Sequence, residues 1–168
     1  MKGTILRTGL LMILAAAWTV SIAPMARSEQ GGGGKHATDG YGPPCSLWSA
    51  AGNWSLTDNG TVVGVGPRVA VGVFTLDDKG NVTNGVATSS LNGTIYDETF
   101  SGTMTVSSNC TGTFTANIYI SGVLSYTFTV NTAFDQNVGH MRGVFTSAVE
   151  QPSGTPLETV IALDAEKQ

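Results

Sequence analysis

The run Gly72-Val73-Phe74-Thr75-Leu76-Asp77-Asp78-Lys79-Gly80-Asn81-Val82, followed by Ser101-Gly102-Thr103-Met104-Thr105-Val106-Ser107-Ser108-Asn109-Cys110-Thr111-Gly112-Thr113, constrains this chain more than any other feature. Apolar and polar residues alternate in short segments that end at Gly, Asn or Asp. A period of two places alternate side chains on opposite faces of a strand, so one face can close on a core while the other stays wet. In 123–134 the sets are Leu124, Tyr126, Phe128 and Val130 against Ser125, Thr127, Thr129 and Asn131. In 111–120 they are Phe114, Ala116, Ile118 and Ile120 against Thr113, Thr115, Asn117 and Tyr119.

The pattern predicts strands at 51–57, 61–66, 68–76, 81–91, 94–106, 111–120, 123–134 and 138–150, with a last extended piece at 157–163. Asn59-Gly60 and Asn92-Gly93 supply the positive-φ residues of two-residue hairpins. Asp78-Lys79-Gly80-Asn81 and Ser121-Gly122 serve the same purpose. Consecutive strands joined by tight turns form an antiparallel up-and-down meander, and glycines at 64, 66, 72, 102 and 143 suit the bends of a small barrel. The expectation is an all-β, about eight-stranded antiparallel β-barrel. An outer-membrane barrel also alternates, but its lipid face needs bulky apolar residues. Here the non-core faces carry Thr, Ser and Asn.

The first residues read as an export signal. Lys2 and Arg7 precede an apolar run from Gly9 to Val20, and Ala26 and Ser28 precede a cleavage site before Glu29, with cleavage after Ala26 as the rival. The run is short for a membrane span and suits a removed peptide. The organisation expected is a signal peptide at 1–28, a Gly-rich linker at 29–44 containing Gly31-Gly32-Gly33-Gly34, a barrel at 45–163 and a polar tail at 164–168. The exported product would be periplasmic or extracellular. Without the signal the chain keeps five Lys+Arg against twelve Asp+Glu, a formal net charge of −7. Those five cations are scattered, which excludes a nucleic-acid footprint and disfavours anionic membrane surfaces. Cys45 and Cys110 are the two cysteines, and in an oxidising compartment they are expected to pair. Closing a loop of that length contributes about 4 kcal/mol in the chain-entropy model.

Three motifs carry this chain's resemblance to a known group: Cys45-Ser46-Leu47, the strand-turn-strand from Gly72 to Val82, and the strand-turn-strand from Gly102 to Thr113. Over about 45–150 the chain resembles uncharacterised secreted bacterial proteins assigned to the allene-oxide-cyclase-like barrels, of calycin-type architecture. The resemblance implies an eight-stranded barrel and a paired cysteine, and it implies no activity. Asn109 stands where the group has Asp before the cysteine, at a position where either residue suits a turn.

Candidate chemistry is sparse. His140 and Arg142 lie two apart on one strand and share a face with Val138 and Val144. In the lumen they would meet an anionic or carbonyl-bearing ligand; otherwise they face solvent while Met141, Phe145 and Val149 enter the core. Asp97 and Glu98 are adjacent, so they point to opposite faces and are expected as exposed charges at a hairpin end. Asp77-Asp78-Lys79-Gly80-Asn81 lacks the spacing of a calcium loop and reads as a β-turn. Two histidines and two cysteines give too few ligands for a metal site, and no Gly-x-Ser-x-Gly elbow supports a catalytic serine. Trp48 and Trp54 are expected as a core plug beside the disulfide. Five Asn-x-Ser/Thr sequons, at Asn53, Asn59, Asn81, Asn92 and Asn109, follow from Asn-rich turns beside Thr-rich strands.

The functional expectation is an exported barrel that binds a small apolar or amphipathic ligand without catalysis, cofactor or metal. Tyr126, Phe128, Leu124, His140 and Arg142 are the candidate contacts. A packed structural or surface-interaction module is the first alternative. A cyclase- or isomerase-like enzyme, suggested only by the resemblance, is the second.

Overall fold

A computed structural model describes residues 45–168. The signal peptide expected at 1–28 and the linker at 29–44 lie outside the described residues. A single helical turn, α1 (Leu47–Ala50), precedes β1 (Gly52–Val62), β2 (Gly66–Leu76), β3 (Asn81–Leu91), β4 (Thr94–Val106), β5 (Thr111–Ile120) and β6 (Val123–Phe134). β7 (His140–Glu150), the two-residue β8 (Thr155–Pro156) and β9 (Thr159–Lys167) complete the order. From β1 to β7 each strand pairs antiparallel with the next. β9 pairs with β7 on one side and β1 on the other, and this closes an eight-stranded barrel. The eight are β1–β7 and β9; β8 only edges β7. Closure leaves the β7–β9 seam paired over 140–144 and the end of β7 covered by β8.

The count of eight agrees with expectation, but the strands divide differently. The chain does not turn at Asn59-Gly60. β1 runs through to Val62, and the turn falls at Val63-Gly64-Val65, where the Val65 N–H donates to the Val62 carbonyl. Running on buries Val62 and brings Asp58 inside. Gly60 is needed for another reason: a Cβ there would stand 2.0 Å from the Val160 carbonyl oxygen across the β1–β9 seam. Residues 164–168, expected as a tail, are strand as far as Lys167, because Ile161, Leu163 and Ala165 form one buried face. Register shifts at Val73/Thr75, Val82/Gly85, Ile118/Tyr119 and Thr129/Val130 supply the local bends that closure needs.

One end of the barrel is plugged. Ser46 caps α1 by accepting from the Ser49 N–H, and the Ser49 hydroxyl accepts from the Ser46 N–H. Ala50 enters the core, and its carbonyl accepts from Trp54 Nε1 at 2.9 Å. Cys45 is joined to Cys110, and Lys167 Nζ donates to the Ser49 carbonyl. Trp54 is fully buried and stacks at 6.3 Å on Phe74, which meets Phe114 at 5.7 Å and Phe100 at 6.1 Å. Trp48 is not part of this plug. It is 74% exposed, because two residues along a helix turn place it opposite Ala50.

Candidate functional site

The other end of the barrel holds an ion cluster in its lumen. Asp58 on β1, Arg68 on β2 and Glu98 on β4 all point inward, and each is at most 5% exposed. Their positions continue the inward parity of each strand: Trp54, Leu56, Asp58; Arg68, Ala70; Glu98, Phe100. Arg68 Nη1 donates to Glu98 Oε1 at 3.0 Å, and Nη2 donates to Glu98 Oε2 at 3.1 Å and Asp58 Oδ2 at 3.2 Å. The buried Ser89 hydroxyl on β3 donates to Glu98 Oε1 at 2.6 Å. Arg68 Nε and Asp58 Oδ1 face each other at 3.2 Å without the alignment of a hydrogen bond, so both buried atoms lack a hydrogen-bond partner. Asp97, by contrast, is exposed and accepts from the Thr88 hydroxyl. The expectation of two exposed carboxylates therefore holds for Asp97 and fails for Glu98, whose side chain faces the lumen.

Burying charge is costly unless it is paired. Burial pushes the Asp58 carboxyl above the ordinary aspartate range, and attraction to Arg68 only partly offsets this. Burial also works against the Arg68 charge. The hydrogen bonds to Glu98 and the charges of both carboxylates outweigh it and hold Arg68 above its usual value. With both acids ionised, the cluster carries a formal charge of −1.

Above the cluster lies an aromatic stack. The Arg68 guanidinium carbon is 5.5 Å from the centre of the Phe128 ring, within cation–π reach. Phe128 stacks with Tyr126 at 5.8 Å and meets Phe145 edge-on at 5.2 Å. A cavity of about 30 Å³ is lined by Asp58, Arg68 and Glu98 together with Phe128, Phe145 and Phe100. That volume admits about two water-sized groups. Tyr126 is half-buried one step nearer the rim, and burial raises its phenol, with the Glu150 and Tyr96 charges adding to the effect.

Of the residues expected from sequence, the structure brings Phe128 and Tyr126 together here. Leu124 is half-buried near the start of β6, beyond the cavity lining. His140 and Arg142 lie at the plugged end, on the outer wall. His140 Nε2 is 3.0 Å from both Asp164 carboxylate oxygens, and Arg142 Nε is 3.4 Å from Oδ2. Arg142 is 76% exposed. The His140 hydrogen bond and, to a smaller degree, Arg142 hold the Asp164 carboxyl below its ordinary range. The Asp77 turn closes on itself: Oδ1 accepts from the Lys79 and Asn81 N–H groups and Oδ2 from the Asn81 side chain. Among the described residues no three His, Cys, Asp or Glu side chains gather as metal ligands.

Sequence reasoning missed Asp58, Arg68, Ser89 and Glu98. The signal that would have found them is parity, since each falls in step with its strand's core residues.

No family model and no curated protein matches the chain. Two solved structures similar to it are redesigned β-barrels, mFAP1 and mFAP0, each bound to DFHBI. mFAP1 is 13% identical over 73% of this chain and 98% of that chain, with a TM-score of 0.44. mFAP0 is 14% identical over 71% and 99%, with a TM-score of 0.43.

Proposed function

We propose that this chain is an exported, disulfide-bonded barrel that binds a small amphipathic molecule at its unplugged end, without chemical conversion. The ligand's polar group meets the Asp58–Arg68–Glu98 cluster, and its apolar part lies against Phe128, Phe145 and Tyr126. The observation that carries this reading is the ion cluster lining an otherwise apolar cavity, with Asp58 Oδ1 and Arg68 Nε ion-paired at 3.2 Å but neither in a hydrogen bond. Apolar residues of similar volume would usually stabilise a barrel as well or better than buried ions, so a purely structural role does not account for the cluster. The secretion-type leader read from the sequence and the Cys45–Cys110 bond support export.

A packed structural module is the second reading. It is favoured by the size of the cavity, far below the several hundred Å³ of a drug-sized site. Amide chemical-shift mapping with a panel of small amphipathic molecules separates the two. Binding at the proposed site shifts residues 58, 68, 89, 98, 126 and 128 together and leaves the plugged end still. A panel that moves none of them favours the packed module.

A further inference from the structure

The cluster's charge selects among ligands, and this step rests on the binding site proposed above. Among the described residues Arg68 is the one cation of the throat, and it is already engaged: Nη1 and Nη2 serve Glu98, Nη2 also serves Asp58, and Nε faces Asp58. It has little left to offer an anion. With both acids ionised the two carboxylates exceed it by one charge, and Asp58 Oδ1, which faces Arg68 Nε, accepts no hydrogen bond. The one donor without a hydrogen bond, Arg68 Nε, is turned to Asp58 Oδ1 at 3.2 Å, so what the cluster has left to offer a ligand is a carboxylate oxygen rather than a free N–H. The space beside it admits about two water-sized groups, and an ammonium head group is of that size. The aromatic rings beside it, Phe145 and the stacked Phe128 and Tyr126, present electron-rich surface that suits a cation better than an anion.

We infer that the barrel throat is a receptor for the ammonium group of a small amphipathic amine, with Asp58 as the principal acceptor and Glu98 as the second. A carboxylate ligand would raise the buried charge from −1 to −2 in a low-dielectric site. A monocation brings it to zero. Binding draws no covalent step: the amine donates hydrogen bonds from its N–H groups to the carboxylate oxygens, and the alkyl part runs toward the Tyr126 rim.

The test titrates the folded chain with hexylamine, hexan-1-ol and hexanoate at neutral pH, following the amide shifts of residues 58, 68, 89 and 98. The expected result is hexylamine binding about tenfold or more tighter than hexanol, with hexanoate weaker still. Asp58→Asn, checked for an unchanged fold by its spectrum, removes the surplus charge. It is expected to lower hexylamine affinity about tenfold and hexanol affinity by much less. Glu98→Gln, tested alongside, is expected to lower amine affinity less. Hexanoate or hexanol binding as tightly as the amine overturns the charge selectivity and leaves the ligand site standing. Silence from all three compounds overturns both.

Discussion

Arg68 holds two buried carboxylates, and its removal is expected to cost more than the loss of either acid. Arg68→Met leaves Asp58 and Glu98 facing each other unpaired, which is expected to destabilise the fold by about 3–5 kcal/mol in urea denaturation. Replacing the whole cluster, as in Asp58→Leu with Arg68→Met and Glu98→Met, is expected to return stability to the parent value or above it. A triple variant as unstable as Arg68→Met would show that the cluster itself holds the barrel together. Asp58 also predicts a pH dependence. Its folded pKa lies above its ordinary value of 3.8, so its contribution is fully present below that value and is lost as pH rises through the folded pKa. Asp164 and Asp77, both lowered, act in the opposite sense and lose their contributions in acid. Asp58→Asn imitates the protonated acid, so its stability relative to the parent is expected to be near zero at about pH 3 and to grow toward neutrality. A difference that is flat with pH would contradict the burial assigned to this carboxyl. The cluster is hard to read in the sequence because its members lie on separate strands, β1, β2 and β4. Asp58 sat beside Asn59-Gly60, which reads as a turn; Glu98 sat beside Asp97, which reads as a charged hairpin end.

At the scale of the element, the β1–β9 seam is too close for a side chain at Gly60. Gly60→Ala is expected to cost several kcal/mol in urea denaturation, because its Cβ would meet the Val160 backbone rather than a side chain able to move. Gly64→Ala is the control. A Cβ there meets nothing within 4 Å, so only its φ of 78° is penalised, at about 1 kcal/mol. Equal losses at the two positions would mean that the seam is looser than described. The same pair of glycines explains where the sequence misled. Asn-Gly at 59–60 carries the composition of a hairpin, and local composition does not reveal that a strand over a hundred residues downstream will lie against it. β5 and β6 were legible because their alternation is strict. β9 was legible only in part: its last residues carry Asp164, Glu166 and Lys167, and the one buried residue between them, Ala165, is small.

For the whole molecule, alternation and turn chemistry were enough to give an antiparallel meander of about eight strands, and closure followed once every edge had to be satisfied. The site was not legible to the same degree. Tyr126 and Phe128 stand out as an aromatic pair on a clean strand face. Their partnership with Arg68 depends on how β2 and β6 face each other across the lumen, which is a matter of barrel register rather than of any local pattern. The barrel is asymmetric along its axis: an apolar plug of α1, Trp54 and the disulfide closes one end, and ions and aromatics line the other. The central claim is that this second end is a binding site. It is tested most directly by native mass spectrometry of the chain from its own source, beside the triple Asp58→Leu, Arg68→Met, Glu98→Met variant. The account predicts extra mass on the parent that is lost on denaturation and is absent from the variant. A bare parent mass, or the same adduct retained by the variant, would contradict it.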